Sequence, residues 1–161
     1  MSESVGTGWD VPAGVKDRCE FHWFHVQRDG CLVVVILSSA PAWYVGHFDK
    51  GRMRRCDGHE CRMCAAGSGR QLRYVLAAVD YQTRQNGVIE VSKSVAELIR
   101  SWSARGGGLR GMTVQFEKPG KSKHCRLEVT YIDRPPPGWA AEVQPVDVVE
   151  ALSSTWDRQV A

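Results

Sequence analysis

The segment from Gly46 to Gly67 concentrates metal-binding side chains more strongly than any other part of the chain. It holds three of the six cysteines and two of the five histidines, in a stretch rich in Arg and Lys. Cys61 and Cys64 have the spacing of a tight metal-binding turn, and Cys56 supplies a third thiolate. Because Zn²⁺ takes four borderline or soft ligands in a tetrahedron, this pattern predicts a zinc site.

The fourth ligand is predicted to be a histidine, and two positions compete for that role. His47 ends an extended segment, whereas His59 lies in the four-residue interval between Cys56 and Cys61. A third inward-pointing side chain would strain a loop that is already held at both ends, so His47 is favoured. We therefore predict a structural zinc held by His47, Cys56, Cys61 and Cys64. No catalytic role is expected, because this ligand set leaves no open position for water.

The length and the apolar pattern limit the class of protein. At 161 residues the chain has the size of one domain with tails. No apolar run reaches membrane-spanning length, and the first residues lack the basic head and apolar core of a signal peptide. These features predict a cytoplasmic protein with reduced thiols and no membrane partner.

The charge is unevenly distributed along the chain. The net charge is +3, but the tail from Pro135 onward carries −3, so the preceding residues carry +6. A basic body favours binding to a polyanion, and an acidic tail favours a second contact with a protein partner. Simple solubility is the alternative explanation for an excess of this size.

The apolar pattern predicts mostly strands. Extended runs occupy 31–37, 43–48, 72–81, 88–91, 111–117 and 125–131, with helical spacing between Val95 and Trp102. Asn86-Gly87 predicts a hairpin turn, and Ser94 with Glu97 predicts the start of the helix.

This order predicts a mainly β fold with one helix. It is the order of an OB-like five-stranded barrel, whose helix follows the third strand and whose zinc-binding loop, 47–66, is inserted after the first. An SH3-like barrel or an open α+β sheet would give a similar pattern. The domain is predicted over 19–134, between a flexible N-terminus, 1–18, and a Pro-rich linker with a mildly acidic C-terminal tail, 135–161.

The order His47, Cys56, Cys61-x-x-Cys64 resembles the zinc subdomain of the T-even phage single-stranded-DNA-binding proteins. It is also similar to small zinc-bearing, OB-like proteins of phages and mobile elements. The resemblance implies an OB-fold, a structural zinc, a basic cleft for single-stranded DNA, and a role in replication, recombination or mobile-element DNA metabolism. It also implies a bacterial or phage-infected cell as the setting. RNA remains open as an alternative ligand.

A single strand is bound by cations along a groove with aromatic side chains between them. Such residues cluster around the predicted zinc loop and in the last predicted hairpin. For each aromatic residue the alternative is packing in the core. The predicted nucleic-acid-binding residues are Trp43, Phe48, Lys50, Arg52, Arg54, Arg55, Arg70, Arg73, Tyr74, Lys121 and Lys123.

Two other classes of function remain as alternatives. A zinc-stabilised adaptor could dock another subunit of a nucleic-acid-processing complex. A duplex-reading regulator is less favoured, because a Gly-rich turn follows Cys64 instead of a recognition helix. An enzyme is not expected, because no nucleophile elbow, phosphate-binding loop or dinucleotide fingerprint is present.

Overall fold

The computed structural model describes residues 22–135, 138–139 and 143–153. The predicted flexible N-terminus, 1–18, lies outside these residues, as do parts of the predicted tail. The strands are β1 His22–Phe24, β2 Gly30–Ile36, β3 Ala42–Asp49, β4 Arg52–Arg55, β5 Gln71–Asp80, β6 Asn86–Ser92, β7 Thr113–Lys118 and β8 Glu128–Tyr131. The helices are α1 Arg62–Ala65 and α2 Lys93–Arg105, and residues 148–153 are also helical.

The fold is mainly β with one long helix, as predicted. The described residues form eight strands rather than the predicted five. The bend in the first predicted strand divides it into β2 and β3. The weak alternation of 21–26 predicts an edge strand, which is confirmed as β1, and β4 is additional. The sheet runs β1-β6-β5-β2-β7-β8 and is open at β1 and β8. β1 pairs with residues 87–89 of β6, so it occupies an edge that barrel closure would need.

β5 is the longest strand and has two partners along one of its edges. It pairs with β2 through residues 78–80 and with β3 through residues 71–75. The chain bends between these two partners, at Ser39 and Ala40. After the bend, β3 pairs with the start of β5 and, further along, with β4. We call residues 42–70, which comprise β3, β4 and the loop that follows, the arm.

Both faces of the central strands are covered. The inner face packs against α2 in a core that includes Leu76, Ile99 and Phe116. The outer face packs against the C-terminal segment, whose buried Ala151 and Leu152 contact the same cluster as Val75, Val88 and Tyr44. Residues 75–79 are therefore all buried, as expected for a strand covered on both sides. The part of the predicted tail from 143 to 153 thus lies on the sheet.

Two local predictions placed a boundary wrongly. The predicted hairpin is confirmed as β5 and β6, but Asn86-Gly87 begins β6 and the turn lies before it. That turn is organised by Asp80, whose carboxylate accepts hydrogen bonds from the backbone N–H groups of Gln82 and Thr83 at 2.7 and 2.9 Å. Gly87 is needed for a different reason, since a side chain there would collide with the backbone of β1.

The helix also begins earlier than predicted. The Ser92 hydroxyl, and not that of Ser94, accepts the capping hydrogen bond from the Val95 N–H. The predicted helix end at Gly106 is confirmed, because this residue is the C-cap of α2. Among the described residues, no helix has the length and hydropathy needed to cross a bilayer.

Candidate metal centre and the basic surface around it

The β3–β4 hairpin positions the histidine of the metal site. Lys50 and Gly51 have φ values of 47° and 85°, which gives the left-handed two-residue turn favoured between antiparallel strands. The register pairs Asp49 with Arg52 and His47 with Arg54. His47 is completely buried although it lies only three residues from the turn, because the loop after β4 folds over it.

That loop brings the three cysteines back to His47. The Cys56 N–H donates to the Val45 carbonyl at 2.8 Å, which fixes the first cysteine beside β3. A 3₁₀ turn over Gly58–Glu60 leads to Cys61, the N-cap residue of α1, and Cys64 lies within this short helix. The Ala65 N–H donates to the Cys61 carbonyl at 3.1 Å, closing the helical turn between the last two cysteines.

The four predicted ligand atoms are close enough to share one ion. All of them lie within 4.8 Å of one another. His47 Nε2 is 3.4 Å from Cys61 Sγ and 3.3 Å from Cys64 Sγ, and Cys56 Sγ is 3.6 Å from Cys64 Sγ. Metal–sulfur bonds of about 2.3 Å and metal–nitrogen bonds of about 2.0 Å in a tetrahedron place ligand atoms about 3.5–3.8 Å apart. The arrangement is therefore that of a four-coordinate metal site.

Two neighbouring contacts orient the ligands. His47 Nδ1 lies 3.2 Å from the Gly69 carbonyl, so Nδ1 carries the proton and Nε2 is left to bind a metal. Arg70 Nε donates to Cys64 Sγ at 3.2 Å. Gly69 and Arg70, adjacent residues at the end of the loop, thus orient His47 and Cys64 respectively. His59, the alternative histidine, is exposed and lies outside the group.

Backbone donors favour the thiolate form that binds metals. The Cys64 N–H is the main cause that lowers the pKa of the Cys61 thiol to about 6. The Gly58 N–H lowers the pKa of Cys56. The side-chain hydrogen bond with Cys56 raises the pKa of His47. Although the Arg70 guanidinium lowers it, burial and the hydrogen bonds with Cys56 and Cys61 raise the pKa of the Cys64 thiol. Because a metal requires deprotonated ligands, the lowered pKa values of Cys56 and Cys61 favour metal binding, whereas the raised pKa values of Cys64 and His47 oppose it.

The sequence-predicted nucleic-acid residues fall on both faces of the arm. Residues that are register partners in a sheet point to the same face. Trp43 pairs with Tyr74, and His47 pairs with Arg54, so these residues and Arg52 share the inner face. The Trp43 side chain is 65% exposed, whereas Tyr74 is partly buried against the main core.

Other predicted residues lie on the outer face. Phe48 is 59% exposed and pairs with Met53, and Arg55 is exposed on the same side. Arg73 also belongs to this face, but its Nε donates to Glu90 at 2.8 Å in a largely buried ion pair. The Tyr44 hydroxyl donates to the other oxygen of Glu90 at 2.6 Å. Arg73 therefore neutralises a carboxylate of the protein, which disfavours its predicted role in binding phosphate.

The remaining predicted cations lie in turns and loops. Lys50 occupies the β3–β4 turn, and Arg70 lies at the end of the metal loop. Lys121 and Lys123 lie in the connection between β7 and β8. This connection leaves the sheet where Lys118 pairs with Gly30, at the end of β2 that is remote from β3. The structure therefore does not bring the two lysines beside the arm through strand pairing.

Sequence reasoning missed a stacked group that holds the C-terminal segment. The rings of Tyr81 and Trp139 are 5.0 Å apart and nearly parallel, and the Arg84 guanidinium lies 3.6 Å from the Trp139 ring centre. Arg84 also donates to the Trp139 carbonyl at 2.8 Å. The position of Trp139 immediately after the Pro-rich stretch was the available signal, since a linker has little use for a large aromatic residue.

Comparison of the chain with protein-family models, curated protein sequences and solved structures found no match. The function proposed below therefore rests on the metal ligands and on the surface residues around them.

Proposed function

We propose that the protein binds single-stranded DNA through the inner face of a zinc-held arm. The observation that carries this proposal is the 65% exposure of Trp43, a large aromatic residue beside Tyr74 on a face that also presents Arg52. Arg54 lies on the same face and remains partly exposed, but its Nε pairs with Asp49 at 2.9 Å, so it contributes less free charge than Arg52. An exposed ring offers a stacking surface to any unpaired base, and nearby guanidinium groups can neutralise phosphates. The proposed role is non-enzymatic protection or handling of single strands during replication, recombination or mobile-element transfer.

Zinc is the ion that best suits the site. Three thiolates and one imidazole are borderline-to-soft donors, and a set of four such ligands is the one that zinc prefers in tetrahedral coordination. The protein supplies all four ligands, so the proposed ion is structural and holds the loop against β3. The residues that would hold it are His47, Cys56, Cys61 and Cys64.

The order of elements supports an OB-like description of the domain. Taken together, β2 and β3 correspond to the first strand of such a barrel, followed by β5, β6, α2, β7 and β8. The metal loop then occupies the connection between the first and second barrel strands. In OB-folds this connection and the one between the last two strands border the ligand-binding face.

The decisive experiment is a fluorescence-anisotropy titration of metal-loaded protein with labelled oligo-dT, matching duplex and RNA at several salt concentrations. We expect salt-sensitive binding that favours the single strand over the duplex. Trp43→Ala should weaken binding by about 1–3 kcal/mol, the typical contribution of one stacked base. Absence of oligo-dT binding by the wild-type protein at low salt would contradict the proposal.

Phe48→Ala is the matched control for Trp43→Ala. Phe48 is similarly exposed and lies on the same strand, but it points to the opposite face. We expect its substitution to change oligo-dT affinity much less. Equal losses of oligo-dT affinity in the two variants would show that the DNA does not bind specifically to the inner face.

A protein-docking adaptor is the second candidate, and the outer face favours it. Phe48 and Val149 are 59% and 66% exposed on this side. A hollow of about 350 Å³ is lined by Val149 and by residues that include Trp43, Tyr44, Arg55 and Leu152. Exposed apolar side chains near a concave surface are typical of docking sites. This candidate predicts partner binding that Val149→Ala and Trp43→Ala both weaken, without salt-sensitive nucleic-acid binding.

A further inference from the structure

Arg70 has an unusual position for an exposed arginine. Its Nε donates to Cys64 Sγ at 3.2 Å, and the carbonyl of the preceding Gly69 lies 3.2 Å from His47 Nδ1. The backbone at Gly69 and the side chain of Arg70 therefore touch two of the predicted metal ligands. The side chain is exposed to solvent, so it lies at the boundary between the metal site and the surface.

The geometry of a guanidinium group determines what remains available. Its five N–H donors lie in one plane, so the hydrogen bond from Nε to sulfur fixes the direction of the whole fork. The Nη1 and Nη2 groups have no hydrogen-bond partner among the described residues. An edge with two parallel N–H groups matches two oxygens of a phosphate.

We propose that the metal-bound Cys64 thiolate orients Arg70 as a phosphate-binding residue, so that metal occupancy controls affinity for the nucleic-acid backbone. This inference rests on the proposed function, in which Arg70 connects the metal site to the surface that binds nucleic acid. A bound metal adds a bond that holds the Cys64 Sγ at the position where it accepts from Arg70 Nε. Without the metal this orienting contact is weaker, while Arg70 keeps its charge.

Arg62 provides a matched comparison on the same loop. It begins α1, between Cys61 and Cys64, and it is also exposed. No hydrogen bond joins its side chain to a cysteine among the described residues. Both arginines contribute the same net charge to the arm, but only Arg70 is oriented by a predicted ligand.

The test uses the full-length, metal-loaded protein with Arg70→Gln, Arg62→Gln and Arg70→Lys, titrated with labelled oligo-dT over a salt series. We expect Arg70→Gln to reduce affinity about ten-fold, as for loss of a charged hydrogen bond. The slope of log K against log salt should become shallower by about 0.7, as for one lost phosphate contact on a single strand. Arg62→Gln should change both quantities less, and Arg70→Lys should restore the slope but not the full affinity. Zinc content, measured for each variant, should remain at the wild-type level.

Metal removal provides the second part of the test. Between chelated wild-type and chelated Arg70→Gln proteins, the difference in oligo-dT affinity should be smaller than in the loaded proteins and should reflect only the lost charge, because the orienting contact is weakened in the chelated wild type. Equal effects of Arg70→Gln and Arg62→Gln in the loaded protein would overturn this inference, as would an equal effect of Arg70→Gln with and without metal. Absence of wild-type binding would instead remove the proposed function itself.

A spectroscopic measurement does not depend on nucleic-acid binding. In the Co²⁺-substituted protein, loss of the hydrogen bond to Cys64 should shift the thiolate-to-metal charge-transfer band in Arg70→Gln but not in Arg62→Gln. Identical spectra for the two variants would show that Arg70 does not contact the metal-bound thiolate, and would overturn the inference.

Discussion

The central strands and the part of the arm from 46 to 70 are held together in different ways. In β5, residues 75–79 are all buried between the inner core and the C-terminal segment. Within 46–70 the buried residues are Gly46 and two predicted ligands, His47 and Cys61. Apolar burial therefore stabilises the sheet, whereas this part of the arm has almost no apolar core of its own.

This difference indicates where the metal acts. A segment without a core cannot offset the conformational entropy of ordering its residues by burial alone. When ligands from different parts of such a segment bind one ion, the binding free energy becomes folding free energy for that segment. We therefore expect the metal to order the arm and its nucleic-acid face, while the sheet folds without it.

The largest effect is expected for Cys61→Ser, which removes the buried thiolate of the site. This variant should lose its metal, and amide hydrogen exchange should rise strongly across residues 50–70 while β5 and β7 remain protected. Cys31→Ser is the matched control, since Cys31 is exposed and outside the metal group. Loss of protection throughout the sheet in Cys61→Ser would contradict the independence of the two regions.

An intermediate effect is expected for Phe116→Ala in β7, where the side chain is only 1% exposed. Removing this ring from the core should lower the free energy of unfolding by about 3–5 kcal/mol. Urea denaturation monitors the loss, and metal stoichiometry is measured on the fraction that remains folded. We expect that stoichiometry to be unchanged. A folded but metal-free Phe116→Ala protein would show that the core and the arm are coupled.

A small effect is expected for Ser92→Ala, which removes the N-cap of α2. The lost hydrogen bond should cost about 1 kcal/mol of stability without changing metal or oligo-dT binding. Ser94→Ala is the control, because its hydroxyl does not cap the helix through a backbone N–H. Larger destabilisation by Ser94→Ala would show that the helix begins where the sequence pattern alone places it.

The metal quartet was predictable from the sequence because ligand chemistry is specific and the spacing is local. Cys61 and Cys64 are joined by one helical turn, and Cys56 lies at the end of the hairpin that carries His47. The exposed position of His59 agrees with the argument from loop strain. These features depend on contacts within the loop and its adjacent strands.

The strand position of Asn86-Gly87 and the role of Arg73 could not be predicted from local patterns. Gly87 allows the close approach of β1, a strand more than sixty residues away in sequence. Arg73 is engaged by Glu90, which faces it only because β5 and β6 pair in a particular register. In both cases a contact between residues distant in sequence determines the role of the residue. The local pattern around Gly87 is typical of a turn, and that around Arg73 is typical of a phosphate-binding surface.

The division of the predicted nucleic-acid residues between two faces has a local origin. Trp43 and Phe48 are an odd number of positions apart, so an unbroken strand places them on opposite faces. Because 43–48 was predicted as one extended run, this division was readable from the sequence. Coverage of the outer face by residues 143–153, in contrast, depends on tertiary packing.

The most direct test of the account is hydrogen–deuterium exchange of the metal-loaded protein with and without saturating oligo-dT. We predict that bound DNA slows amide exchange in the arm and in the adjacent start of β5, around Trp43, Arg54, Arg70 and Tyr74. The outer-face segment, residues 143–153, should be unaffected. Protection confined to the outer face, or no protection at saturating oligo-dT, would contradict the claim that the zinc-held arm is the nucleic-acid surface.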